Sequence, residues 1–263
     1  MFIGHYGPTF MAKARAKELP LWLLFLAVQI VDVAWCILVL LGIEKVRVVP
    51  GITKSLPLDL YYMPYTHSLV AALLWSAAAF VAYRAFRPVG TRAAALILGL
   101  AVLSHWVLDL VVHRPDLPLY DDTLKVGLGL WNYPAVAFLL EAALFLGGVW
   151  IYFRSTTPVT AGGRYAAVVF GVALCLFQAA VFFGPPAPSP QAAAVMFLVL
   201  PASAFAIGSG TLLRGWRHDD LLRWDAIALF AVLRRNVHML ILVAGTLAGV
   251  AILMAAVVHM ITD

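Results

Sequence analysis

Charge is what this chain has least of. Acidic and basic residues fill 12% of its 263 positions, about half the share usual in a soluble globular protein. That scarcity excludes an ordinary solvated domain. Cysteine is nearly absent as well: Cys36 and Cys175 are the two present, far apart and each inside an apolar stretch. No disulfide is expected from them, and buried, inert thiols are the reading. There is no internal repeat at a 20–50-residue period, no disordered tail, and no lysine in the last apolar run on which a retinal Schiff base could form.

What is present is apolar. Hydrophobic residues make up 63% of the chain, and the mean hydropathy is +0.95. Crossing a bilayer takes about 20 apolar residues, and about seven runs qualify, near 19–43, 66–84, 92–113, 134–153, 165–184, 191–213 and 238–260. The expected fold is all-α, a polytopic membrane helix bundle. The first run carries Gln29 and Asp32 and no small-x-small site follows it, so a retained span is expected rather than a removed signal peptide. The formal charge of +5 needs no nucleic-acid partner, because thirteen of the eighteen Lys and Arg gather on alternate loops, from Lys13, Arg15 and Lys17 to Arg234 and Arg235. The other five are Lys45, Arg47, Lys54, Arg114 and Lys125. The positive-inside rule then gives an N-in, C-out orientation, in a bacterial inner membrane.

The two halves differ. Residues 1–154 hold nearly every intramembrane ionisable group, whereas 155–263 read as accessory spans, almost purely apolar apart from Gln178. Residues 2–12 are apolar but too short to cross, and a short helix dipping in from the inner side fits them. Residues 214–237 mix five arginines with Trp216, Trp224 and leucines, as an amphipathic surface helix would.

Chemistry concentrates in Ser104-His105-Trp106-Val107-Leu108-Asp109-Leu110-Val111-Val112-His113. His105, Asp109 and His113 recur every fourth residue and so share one helix face. Each ionisable group inside a membrane costs about 2.5 to 3.5 kcal/mol, so a cluster of them marks a site. Counting from the basic flanks, Asp32 lies 15 residues beyond Lys17, and His67 lies 17 before Arg84. His105 and Asp109 lie 13 and 17 beyond Arg92, Glu141 lies 13 before Arg154, and His5 lies 12 before Lys17. At 1.5 Å per residue these fall about 18 to 26 Å from the inner surface, one layer in the mid-to-outer bilayer. His113 drifts beyond it, toward the membrane edge, where an interfacial role competes with ligation.

Histidine with carboxylates and without cysteine is the donor set of a borderline divalent metal, zinc first among them. His105 and Asp109, one turn apart, can reach a single ion. Metal-bound histidine needs an acceptor on its other nitrogen, for which Ser68, Ser104 and Asn132 are candidates. Arg114 is a candidate clamp for an anionic substrate. His218, His238 and His259 read as structural or surface residues.

These residues carry a resemblance. Gly4-His5, the intramembrane Asp32, Pro64-Tyr65-Thr66-His67-Ser68 and Ser104-His105-x-x-x-Asp109 resemble the YdjM-like family of membrane-bound metal-dependent hydrolases, over about residues 1–154. That family is in turn similar to the zinc-dependent phospholipase C superfamily. The resemblance implies a metal held by Asp32, His67, His105 and Asp109. It further implies that Asp109 bridges to a second ion that His5 helps to hold, with Glu141 as an acidic ligand from a later helix. The chain departs from the family pattern in lacking an Asp-x-Asp pair around Asp32 and a His-Arg-Gly run before Thr66. Metal number, one or two, and substrate stay open.

The leading expectation is a metal-dependent hydrolase with Glu141 or Asp109 taking the proton, acting at the outer face on a lipid or lipid-linked phosphoester. An ion- or proton-coupled carrier is the alternative, since intramembrane carboxylates and histidines also mark proton relays. Carriers usually show repeated halves and broken helices, and neither is seen. Bis-histidine haem binding fits poorly with histidines interleaved with aspartates.

Overall fold

Proline and hydroxyl caps set where the helices start. The computed structural model describes residues 1–87, 90–158, 161–206 and 216–217, within one compact unit, Met1–Asp220. A 3-10 turn (Ile3–His5) leads into α1 (Tyr6–Arg15), and α2 (Leu21–Leu40) starts after Pro20. Ser68 caps α3 (Leu69–Phe86) by accepting the Ala71 N–H at 3.1 Å, and Thr91 caps α4 (Arg92–Val112) through the Ala94 N–H at 3.0 Å. Such caps satisfy orphan amides of the first turn. A second 3-10 turn (Leu130–Asn132) precedes α5 (Pro134–Ser155), which has proline in its first turn, where the missing N–H costs nothing. Helices α6 (Ala161–Phe183) and α7 (Pro190–Ala206) follow.

The described chain is mostly helical, and four of its helices, α2 to α5, are long and apolar enough to cross a membrane. Their outward faces stay apolar: Leu73 and Val81 on α3, Leu96 and Leu100 on α4, and Leu139 and Trp150 on α5 are all exposed. The charged and polar side chains go inward, with His5, His105, Asp109 and Glu141 all essentially inaccessible. Apolar outside and ionisable inside is the inverse of a soluble bundle, and it marks an integral membrane protein. The seventh expected span lies outside the described residues. So does the stretch 214–237 except for Trp216–Arg217, which is extended and paired with Thr157–Pro158 rather than helical.

Two features were not expected. Residues Lys45–Val48 (β1) and Leu58–Tyr62 (β2) form an antiparallel hairpin, with Arg47 opposite Asp59 and Val48 opposite Leu58. Val46, Leu58 and Leu60 turn inward while Arg47 and Tyr61 are exposed, and Asp59, between the two leucines, is buried beneath Arg47 and Arg114. The loop 113–133 is also tightly built. It bonds back to α4 through Leu128 N–H to Leu110 O at 2.8 Å, and it receives the first amides of α3, Leu69 N–H to Pro118 O at 3.0 Å. Ser55 N–H to Trp131 O at 2.9 Å ties hairpin to loop. Both lie over the end of the bundle where α2 and α4 finish and α3 and α5 begin.

The short N-terminal helix is present, and it is inside the protein. Phe10 packs edge-on against Phe25 of α2 and Phe145 of α5, at centroid distances of 5.5 and 5.9 Å. Close approach depends on two glycines: a Cβ at Gly7 would lie 2.6 Å from Leu144 O, and one at Gly148 would lie 2.5 Å from Gly7 O. Small residues at such a crossing let backbones touch. That contact delivers His5 into the bundle.

Candidate metal centre

Asp109 is the hub. It projects from α4 with 2% of its side chain accessible, and four imidazole Nε2 atoms surround its two oxygens. On the Oδ2 side, His105 lies at 3.2 Å and His67 at 3.7 Å. Asp32, from α2, closes this side, its Oδ1 lying 3.3 Å from His105 Nε2 and 3.4 Å from His67 Nε2. On the Oδ1 side, His5 lies at 3.2 Å and His113 at 3.9 Å, and the Met1 nitrogen also donates to this oxygen. Two groups of three donors, His5–His105–Asp109 and Asp32–His67–His105, each lie within 4.8 Å of one another.

These separations are informative. Ligands held about 2.0 to 2.1 Å from a tetrahedral zinc ion lie about 3.3 Å from each other, and His105 lies 3.2 Å from Asp109 Oδ2 and 3.3 Å from Asp32, which lies 3.4 Å from His67. Yet among the described residues His105 Nε2 and His5 Nε2, both buried and facing carboxylate oxygens, have no hydrogen-bond partner. Fully buried nitrogens without partners are rare. Lone pairs converging on one point explain both observations, so the donor set fits a divalent cation.

The opposite ring nitrogens are occupied. His105 Nδ1 donates to Val28 O at 2.7 Å, and His113 Nδ1 meets Asp116 Oδ1 at 2.9 Å. His67 Nδ1 meets Thr66 Oγ1 at 2.8 Å, and Thr66 in turn donates to Glu44 Oε2 at 2.6 Å. Second partners of this kind fix the tautomer of a ligating histidine. They are not the residues expected. Ser68 is the α3 cap, and Ser104 Oγ bonds Ala101 O at 2.7 Å within its own helix. Among the described residues, His5 makes no hydrogen bond through its Nδ1. Its ring stacks on that of His105, with centroids 3.8 Å apart.

Every residue proposed from sequence as a metal ligand is brought to this centre. His113 is closer than its depth along α4 implies. The helix ends at Val112, and His113 is extended (φ −62°, ψ 144°), with its Nε2 turned back to Asp109 and Trp131 4.3 Å from its ring. Glu141 reaches the neighbourhood differently. Its Oε2 accepts the Phe2 and Gly4 amides at 2.7 and 3.3 Å, clamping the turn that carries His5, and it belongs to neither donor group. Arg114 is not free to clamp an anion with its whole fork: Nε bonds Asp116 Oδ2 at 3.1 Å, and Nη2 bonds Asp59.

No family model, curated protein or solved structure matches this chain. What the site can do is therefore set by its own residues. A cavity of about 40 Å³ opens onto Asp32, His67, Asp109 and His113 inside an apolar collar that includes Trp35, Met63, Trp131 and Phe197. It can admit a water or two beside an ion. Asp32, with 23% of its side chain accessible, is the donor most open to that space.

Sequence reasoning missed Glu44, Asp116 and the Val28 carbonyl. Asp116 stands three residues after His113 and could have been paired with it. Glu44 follows Leu41-Gly42-Ile43 at the end of a span and carries no periodic signal.

Proposed function

We propose that this protein is a membrane-embedded, metal-dependent hydrolase related to the YdjM-like family, with zinc at the Asp32–His67–His105–Asp109 position. The observation that carries the reading is the set of buried histidine and carboxylate donors spaced as zinc ligands are, with unbonded imidazole nitrogens facing inward and the rings held from behind. Metal there supplies Lewis acidity toward a phosphoryl or acyl oxygen and a water nucleophile near neutral pH. The Oδ1 side of Asp109, with His5 and His113, is the second cation position. Glu141 is retained as the proton acceptor, because its buried Oε1 has no hydrogen-bond partner among the described residues while its Oε2 takes the amide of Phe2, next to the Met1 nitrogen that contacts Asp109. The apolar collar excludes bulk water from the reacting group.

Seven spans, N-in and C-out, in a bacterial inner membrane, complete the reading and set the centre in the outer half of the bilayer. A site at that depth suits a lipid or lipid-linked phosphoester.

Metal analysis of detergent-purified protein, handled without chelator, tests this first. Near-stoichiometric zinc in the wild type, lost in both His105→Ala and Asp109→Ala, supports it, and a metal-free wild type sinks it. Hydrolysis of phospholipid and prenyl-phosphate panels then separates an enzyme from a metal-stabilised scaffold or carrier, which keeps its zinc and cleaves nothing.

A further inference from the structure

Three histidines of the centre have their Nδ1 atoms held, and the three holders differ in kind. A backbone carbonyl, Val28 O, can only accept, so it fixes the proton of His105 on Nδ1 and leaves Nε2 bare. The Asp116 carboxylate does the same for His113. His67 alone faces a hydroxyl, Thr66 Oγ1, which both donates and accepts. By itself that hydroxyl allows either tautomer, including the one with a proton on Nε2, which cannot ligate.

Glu44 removes the ambiguity. It is 1% exposed, and among the described residues no ion pair meets its charge. Oε1 accepts the Tyr65 and Thr66 amides at 2.8 and 3.0 Å, and Oε2 accepts the Thr66 hydroxyl at 2.6 Å. With its proton committed to Glu44, Thr66 can only accept from His67. We propose that Glu44 is a positioning residue for the metal centre, acting through Thr66 to hold His67 as the tautomer whose Nε2 lone pair faces Asp32 and Asp109. This rests on the reading of His67 as a metal ligand. Glu44 stands on the loop between α2 and β1, touches no donor, and acts at one remove.

Glu44→Gln is nearly isosteric and reverses the chain of donors. The amide oxygen takes the two backbone N–H groups, and the amide NH₂ then donates to Thr66. The hydroxyl turns its proton to His67 Nδ1, and the imidazole proton moves to Nε2.

Two measurements test this. In metal-free protein labelled with nitrogen-15 histidine, the His67 signals, assigned by their loss in His67→Ala, report a bare Nε2 in the wild type and a protonated Nε2 in Glu44→Gln. Zinc affinity by chelator competition at pH 8 then falls about 10- to 100-fold in Glu44→Gln and in Thr66→Val, while Thr66→Ser keeps the wild-type value. Because Glu44 acts through the hydroxyl, Glu44→Gln adds no further loss in a Thr66→Val background, and a generally damaged fold would. An unchanged tautomer, unchanged zinc affinity in Glu44→Gln where His67→Ala weakens it, or additive losses in the double variant overturn the proposal and leave the metal site standing. A wild type that binds no zinc at all overturns the metal reading, and this one with it.

Discussion

The two sides of Asp109 are built differently. On the Oδ2 side, Asp32 and His105 come from long spanning helices and His67 from the capped start of a third, with separations of 3.2 to 3.7 Å. On the Oδ1 side, His5 comes from a 3-10 turn and His113 from the residue just past the end of α4, and the spacing opens to 3.9 Å. Both rings of the first side are held through Nδ1, whereas on the second side His113 is held and His5 has no hydrogen bond there among the described residues. Donors on rigid elements with their rings held from behind are preorganised, and donors on turns are ordered at a cost when the ion arrives. The lesson is an asymmetric pair of donor clusters, a tighter one and a looser one, on the two oxygens of one carboxylate.

The largest effect belongs to the shared hub. Asp109→Ala removes an oxygen from each position and leaves the surrounding imidazoles without their central acceptor. Bound zinc should fall to background and hydrolysis with it. Retention of one equivalent by Asp109→Ala would show that the Oδ2 side closes without the hub, and the comparison would lose its premise.

Next come the two sides taken separately. His67→Ala should weaken the first zinc equivalent at least 100-fold, while His5→Ala should leave the first equivalent intact and abolish only a second. Stepwise zinc titration with a competing chelator reads both. Equal losses in the two variants would mean a single shared position in place of two.

How much of this was legible beforehand divides along the same line. His105 and Asp109 showed in a four-residue spacing, and Asp32 and His67 in their depth along apolar runs, because regular helices convert residue number into height. His5 was placed by the same count, and the Gly7–Gly148 contact that seats α1 is a pairing across 141 positions that no local pattern displays. For His113 the count assumes that the helix continues, whereas it stops at Val112 and the ring turns back to Asp109. The hairpin β1–β2 was overlooked beside the much stronger signal of the spans, although Val46, Leu58 and Leu60 alternate with polar neighbours. Glu44 and Asp116 lie in loops, where side-chain partners are fixed by tertiary placement alone.

Preorganisation on the tight side carries a cost that titrates. Burial pushes the Glu44 carboxyl up to about 7, against the three donors that favour its charge. In the unfolded chain it ionises near 4.5. Between those values the folded state keeps a proton that the unfolded state has lost, so metal-free stability falls as pH rises through this window and levels off above it. The gap between Glu44→Gln and the wild type should therefore widen in favour of the variant by about 2 to 3 kcal/mol from pH 4.5 to pH 8. Thermal unfolding of metal-free protein in detergent across that range measures it. A gap independent of pH would mean that Glu44 is not desolvated, and that the tight side costs nothing to hold.

The smallest effect lies on the loose side. Asp116 holds His113 through Oδ1 and Arg114 through Oδ2, and Arg114 reaches on to Asp59, which pairs with the exposed Arg47 at 2.6 Å. Asp116→Asn can keep one acceptor for His113 or for Arg114, and its NH₂ must then face a donor on the other. The loss expected is about 10-fold in affinity for the second zinc equivalent, the lower end of what a histidine-orienting partner contributes, with the first equivalent unchanged. Asp59→Asn, one link further out, should alter neither. If Asp116→Asn weakens the first equivalent as much as the second, the two sides are mechanically coupled through α4 and the asymmetry between them is only one of distance.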